Sequence, residues 1–361
     1  MGEISVKTGN NARNGGKNSL NRLIRCVCGK KIGPDPRNFN QRVSLGRNDL
    51  LIRTFPRASR DWLLGRMNTF PNNDVYFPII YPDIHTGFGS FARRTKIRPL
   101  DDIDLMFGLD GDDCVYSESD GKIIITAREG TVRLKYYKHD GTNFINSRKI
   151  INSFISSLNQ IPQYDKADVK RNQEAATLKL KSYDWNFDIV PAFITTPDSF
   201  GKTYYLIPDG NGHWKKTDPR IDKQKVTDLN VKLSGNMLNV IRVIKYWQKR
   251  PTMPSMSSYL LETMLLNYFN GRSECYQWVD LEIVNVLGYL ASAIFSPVYD
   301  HKGIQGNINN LSDDDKLKIS IRCYLDQGKA TEARNYESQN NHRASINKWQ
   351  DVFGVNFPSY G

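Results

Sequence analysis

The spacing of apolar positions changes partway along the chain. From about residue 75 to 207 they come in short runs or alternate with polar residues. The stretch Val75-Tyr76-Phe77-Pro78-Ile79-Ile80-Tyr81 is apolar and aromatic. Ile103-Asp104-Leu105-Met106-Phe107 has polar residues on one face only. Lys122–Thr126 and Thr131–Leu134 follow, with Gly130 in a turn between them, and then Phe187–Pro191 and Thr203–Ile207. These patterns predict strands. Between them, Ile150 to about Gln160 reads as a helix, and Asp61–Leu64 as part of one. After Pro219 the period lengthens. Apolar residues at 237, 241 and 244, and at 240, 243 and 247, predict a helix over 236–248. Ser258–Phe269 and Trp278–Ile294 predict two more, and Asp313–Leu317 and Ala344–Trp349 add shorter helical pieces. The order implies an α+β protein, a mixed-sheet domain followed by a helical one, with the boundary near 220–235.

The 361 residues are 39% hydrophobic and 24% charged, which suits a globular chain of one large or two moderate domains. No apolar run approaches the roughly 18–20 residues that cross a bilayer. The start, Met1-Gly2-Glu3-Ile4-Ser5, lacks the features of a secretion signal. The expectation is a cytoplasmic protein with no membrane partner. Five cysteines do not form a disulfide scaffold, and Cys26-Val27-Cys28 lacks zinc-knuckle spacing, so reduced structural thiols are expected. The five scattered histidines argue against a zinc site or a His-dependent triad.

Charge changes the picture more. The net charge is +12, yet residues 1–66 hold 14 basic and four acidic side chains, so the remainder is nearly neutral. Residues 1–19, rich in Asn, Gly and Ser, read as a flexible terminus. A basic region follows, broken by Gly33-Pro34-Asp35-Pro36. Clustered cations attract phosphate backbones. Arg22, Arg25, Lys30, Lys31, Arg37, Arg42 and Arg47, with Arg53, Arg57 and Arg60, form a candidate RNA- or DNA-binding surface or else a solvated basic face.

The nearly neutral part carries the candidate chemistry. Gly89-Ser90 precedes Asp102-Ile103-Asp104 by eleven residues. Residues two apart on a strand face one side, so Asp102 and Asp104 point together. Two facing carboxylates are costly unless neutralised, and a hard divalent cation such as Mg²⁺ suits them. A Gly-Ser turn offers close backbone approach and phosphate-binding N–H groups. Asp188, mid-strand in Phe187-Asp188-Ile189-Val190-Pro191, is the candidate third carboxylate. Each feature alone has a bland reading as surface, edge or cap chemistry; the combination is more specific. Asp101, Asp110, Asp112 and Asp113 fall outside the pattern and read as solvated.

These residues resemble the polymerase beta-like nucleotidyltransferase superfamily, whose pattern is apolar-Gly-Ser, a short interval, then Asp-apolar-Asp-apolar. The narrower resemblance is to bacterial cGAS/DncV-like nucleotidyltransferases. It is carried by Thr95, Ile97-Arg98-Pro99, Ile207-Pro208-Asp209, Trp214, Thr217-Asp218-Pro219, Ile244-Lys245-Tyr246-Trp247, Ser258-Tyr259-Leu260-Leu261-Glu262 and the closing Lys348-Trp349, Val352-Phe353-Gly354 and Phe357-Pro358. Residues 1–66 are not matched. The resemblance implies a nucleotidyltransferase sheet domain packed on a C-terminal helical domain. Residues 20–230 would be the catalytic domain with its basic N-terminal region, and 231–361 the helical domain.

The resemblance further implies a synthase that makes cyclic di- or oligonucleotide messengers from nucleoside triphosphates, with ATP, GTP or a pyrimidine nucleotide as candidates. Such messengers serve antiphage defence and are read by a separate effector. Asp102, Asp104 and Asp188 would be catalytic and bind two Mg²⁺ or Mn²⁺ ions. Gly89 and Ser90 would contact the triphosphate, Lys245 and Ser258 would reach the donor phosphates, and Tyr259 would stack on the donor base. From the residues alone, Lys245 reads as a helix-face charge, Ser258 as a helix cap and Tyr259 as a core aromatic; only the resemblance gives them a ligand role. An RNA-tailing or other-acceptor nucleotidyltransferase is the nearest rival, and a non-catalytic nucleic-acid-binding protein the rival of another class. The terminal Gly361 is compatible with conjugation through the C-terminus.

Overall fold

The computed structural model describes residues 58–97, 101–119, 122–181 and 185–360. The flexible-terminus reading of 1–19, the basic residues from Arg22 to Arg57, Cys26, Cys28, Arg98, Pro99 and Gly361 lie outside them. The described residues fall into two units, one of residues 58–94 and 101–224, the other of residues 95–97 and 225–360.

The first unit opens with a helix, α1 (residues 58–67), and a single helical turn, α2 (Phe70–Asn73). Then come β1 (Thr86–Gly87), α3 (Gly89–Ala92), β2 (Asp102–Gly108), the hairpin β3 (Val115–Ser119) and β4 (Lys122–Thr126), and α4 (Ser147–Asn159). β5 (Asp168–Asn172), β6 (Ala175–Lys179), β7 (Asn186–Ile194), β8 (Tyr205–Pro208) and β9 (Trp214–Thr217) complete the sheet, and α5 (Pro219–Lys232) carries the chain into the second unit. The strand order is β1-β2-β7-β8-β9-β4-β3, with β6 also pairing β7 and β5 pairing β6. Among the described residues the one parallel pair is β2 with β7, in the register Asp104↔Asp188. In both strands the first half alternates. Ile103, Leu105, Phe187 and Ile189 are buried, while Asp102, Asp104 and Asp188 are half-buried on the opposite face. Ile103, Phe187 and Ile189 share a core with Ile150, Phe154 and Leu158 of α4. That helix begins under an Asn146 cap whose side chain accepts from the Arg148 and Lys149 N–H groups.

Pro191 is unusual inside a strand. Asn186 N–H donates to Asp101 O and Leu109 N–H to Ala192 O, so even-numbered peptide groups of β7 face β2. Pro191 faces the other way, between Ile189, the last partner of β6, and Phe193, the first partner of β8. Its missing donor falls where no ladder bond is required.

Two predicted strands are not strands. In Val75–Tyr81 only Ile80 makes an isolated bridge, to Leu109; the Asp74 carboxylate takes the Tyr76 N–H and starts a turn instead. Thr131–Leu134 leads into a short 3₁₀ turn, Leu134–Tyr137. The cause is Asp112, which accepts backbone N–H bonds from Val132 (3.1 Å), Arg133 (2.7 Å) and Leu134 (2.7 Å). Asp112 is therefore buried, against the solvated reading, whereas Asp101, Asp110 and Asp113 are exposed. The strands β3, β5 and β6 were not expected. β3 and β5 are almost wholly solvent-facing and lack the alternation that marks a half-buried strand.

The second unit adds to the end of α5 the helices α6 (Met237–Gln248), α7 (Ser258–Asn270), α8 (Val279–Ala293), α9 (Asp313–Ser338) and α10 (His342–Phe353) around one core that includes Val226, Trp247, Phe269, Ile283, Trp349 and Phe353. Ile97 joins this core. α9 is far longer than the predicted Asp313–Leu317. Its inner stripe is Ile319, Cys323, Asp326, Ala330 and Ala333, at helical spacing but with weak hydropathy. Ser312 caps its start, and three aspartates occupy the first turn, favoured there by the helix dipole. The free thiols among the described residues fit structural roles: burial pushes Cys114 up to about 11 and Cys275 and Cys323 up to about 12.

Candidate active site

The parallel register of β2 and β7 brings Asp188 beside Asp104, and Asp102 lies one pleat away on the same face. One carboxylate oxygen from each lies within 4.8 Å of the others, and no other group of three His, Cys, Asp or Glu side chains among the described residues comes as close. Thr177 on β6 is opposite Asp188, and its hydroxyl donates to Asp188 Oδ1 at 2.6 Å. Thr177 is itself buried. Sequence reasoning missed this residue, because only the antiparallel pairing of β6 with β7 makes the two neighbours.

Gly89 and Ser90 form the first turn of α3, on the acidic face. Phe88 N–H donates to Asp104 O at 3.1 Å, tying this turn to β2. Gly89 has φ +67°, and a Cβ there would lie 1.8 Å from Asp104 Oδ2 and 2.6 Å from its Cγ. Only glycine allows both the left-handed backbone and this approach. The Gly-Ser turn and Asp-x-Asp strand, eleven residues apart in sequence, are thus in direct contact.

In the helical unit, Lys245 is not a solvated helix-face charge. It is 4% exposed and pairs with Glu262 Oε1 at 2.5 Å, while Thr95 Oγ1 donates to Glu262 Oε2 at 2.9 Å. Lys245 and Ser258 line one cavity of about 250 Å³, together with Gln248, Lys249 and Leu261. The cap of α7 is Ser257, which accepts the Tyr259 N–H, so Ser258 does not cap the helix. Tyr259 is partly buried rather than a core aromatic. Its hydroxyl donates to Asp300 Oδ1 at 2.5 Å. Arg60, the one described member of the basic series, pairs with Asp61 at 2.6 Å.

Three convergent carboxylates are a hard, all-oxygen donor set of high negative charge. That suits a divalent cation and leaves coordination positions for phosphate oxygens. A mixed sheet with acids on adjacent parallel strands and a Gly-Ser turn against one of them is the arrangement that the resemblance to polymerase beta-like nucleotidyltransferases implies.

No family profile matches the sequence. A probable cyclic nucleotide synthase of Bacillus cereus (strain VD146) is 46% identical over 308 residues, covering 84% of this chain and 91% of the relative. In fold, the chain is similar to CdnC of E. coli MS115-1, solved with ATP. The TM-score is 0.60 at 16% identity, over 84% of this chain and 92% of that one. It is also similar to the cyclic AMP-GMP synthase DncV of Vibrio cholerae, with a TM-score of 0.56 at 14% identity, over 76% and 70%. The chain belongs to the bacterial cGAS/DncV-like nucleotidyltransferases.

Proposed function

We propose that this nucleotidyltransferase joins nucleoside triphosphates, with ATP, GTP and pyrimidine nucleotides as the candidates, into a cyclic di- or oligonucleotide messenger. The observation that carries the reading is the convergence of Asp102, Asp104 and Asp188 within 4.8 Å. A ribose hydroxyl attacks the α-phosphorus in line. A P–O bond forms, the bond to the β-phosphate oxygen breaks, pyrophosphate leaves, and the hydroxyl proton passes to base or solvent. A second such attack within the linear intermediate closes the ring. The three aspartates would hold two Mg²⁺ or Mn²⁺ ions, which supply charge neutralisation and a more acidic hydroxyl. The chain's own contribution is placement. Thr177 fixes one oxygen of Asp188. Gly89 and Ser90 bring backbone and hydroxyl donors to the triphosphate beside Asp104. On the helical unit, Lys245 and Ser258 contact phosphates and Tyr259 stacks on a base.

The same reading places the product in antiphage defence, sensed by a separate effector, as in CBASS-type signalling. The excess charge of residues 1–66 supports RNA or DNA as the activating ligand. The deciding experiment incubates the protein with each labelled nucleoside triphosphate and Mg²⁺ or Mn²⁺, with and without RNA, and identifies phosphatase-resistant products by mass spectrometry. Cyclic products are expected. RNA-attached tails alone, or no product under any condition, would overturn the reading.

A further inference from the structure

Tyr259 sits in the first turn of α7, and its hydroxyl is held by two charged side chains of the loop between α8 and α9. Asp300 Oδ1 accepts from it at 2.5 Å, and Lys302 Nζ donates to it at 2.5 Å. The Lys302 ammonium lies 4.2 Å from the ring centroid, within cation–π range, and pairs with Asp300 at 2.8 Å. Both charged side chains are buried, 4% exposed for Lys302 and 0% for Asp300. Asp300 is itself fixed. Its carboxylate also takes the backbone N–H groups of Lys302, Ile304 and Gln305. Burial pushes its pKa up, but the hydrogen bonds from Lys302 and Tyr259 and the Lys302 charge outweigh this and hold it at about 2.

A buried ion pair is a weak source of stability, because desolvation offsets much of the attraction. What this pair does secure is orientation: a partly exposed tyrosine on a helix end has its hydroxyl held by two hydrogen bonds and its ring by the Lys302 ammonium. An aromatic ring fixed before binding loses less entropy when a planar ligand stacks on it. We propose that Asp300 and Lys302 are positioning residues that hold the Tyr259 ring as a preset platform for the base of a nucleoside triphosphate. The proposal rests on the reading of Tyr259 as a base contact.

The test measures binding of a non-reacting ATP analogue with a methylene between the α- and β-phosphorus, and of inorganic tripolyphosphate, to full-length wild-type, Y259A, Y259F, K302M and K302R proteins. KM and kcat with ATP are measured in parallel. Y259F is the gentlest variant, since the Asp300–Lys302 pair survives it. Expected are analogue binding weaker by about tenfold in Y259F and K302M, more in Y259A, and recovery in K302R. Tripolyphosphate binding should be unchanged, with the effect in KM rather than kcat. If Y259A weakens binding while Y259F and K302M match wild type, the clamp is wrong and the base contact stands. If Y259A binds as wild type, the underlying reading fails and the proposal with it. Equal loss for tripolyphosphate in K302M would make Lys302 a phosphate contact or a folding residue and overturn its positioning role.

Discussion

Asp102→Asn and Asp104→Asn remove a negative oxygen ligand with little change in shape. Each is expected to lower product formation by roughly 10²- to 10³-fold or more, with the thermal midpoint in metal-free buffer kept or raised, since like charges are relieved. Normal turnover in either variant would sink the metal assignment. Thr177→Val keeps the volume but removes the donor to Asp188 Oδ1. Mn²⁺ affinity, read by calorimetry, should weaken about 10- to 100-fold, as for other outer-shell partners of metal ligands, with Thr177→Ser close to wild type. Gly89→Ala confronts both the positive φ and the 1.8 Å approach to Asp104 Oδ2. Product formation is expected to fall by about a hundredfold in a protein whose circular dichroism is unchanged. Asp102, Asp104 and the Gly-Ser turn were legible in the sequence because their spacing is local and the strand period places the two aspartates on one side; Asp188 was legible only as a lone acid in an apolar strand. Thr177, Glu262 and Asp300 were not singled out for these roles, because their partners lie 11, 17 and 41 residues away and only pairing or packing joins them.

Elements were legible in proportion to how strongly burial imprinted a period on them. The helices α6, α7 and α8 each bury a continuous apolar stripe, and their ends match the expected ones within a residue or two. α9 did not announce itself, because beyond Ile319 its buried face is built of alanines, a cysteine and an aspartate. That aspartate shows how a polar residue serves as core. Asp326, 0% exposed, accepts from Trp247 Nε1 at 2.8 Å and pairs with Arg250 at 2.7 Å, while Arg250 also donates to Val352 O. One carboxylate thereby ties the end of α6 to α9, and through Arg250 to α10. Asp326→Ala would strand the Arg250 guanidinium, whose pKa burial already lowers. We expect a loss of about 3–5 kcal/mol in urea denaturation, with a smaller loss when Arg250→Met accompanies it.

For the whole molecule, pH and salt report on different parts. His85 stacks on Phe107 at 4.1 Å and accepts the Gly108 N–H on Nδ1 at 2.9 Å. Burial pulls its pKa down to about 4, against a weaker opposing effect of Asp83. Between pH 6.5 and 4 the unfolded chain therefore binds a proton that the folded chain refuses. The contribution of His85 to stability is complete above pH 6.5, declines as pH falls toward 4, and is constant below that. Urea midpoints from pH 7.5 to 4.5 should fall less steeply in His85→Gln than in wild type. Salt tests the other end of the chain. Glutamine replacement of Arg22, Arg25, Lys30 and Lys31 should flatten the salt dependence of RNA or DNA binding while leaving nucleic-acid-independent turnover intact; an unchanged salt slope would remove those residues from any such surface.

The sequence by itself determined the class of chemistry and the order of the two kinds of architecture, since both are written in short-range spacing: Gly-Ser, Asp-x-Asp, strand period and helix period. Tertiary structure alone decided that Asp188 stands beside Asp104, that Thr177 orients it, that Lys245 is buried against Glu262, and that Asp112 builds a turn instead of facing water. Each of these depends on which distant backbone comes alongside, and a side chain's own neighbours in sequence carry no record of that.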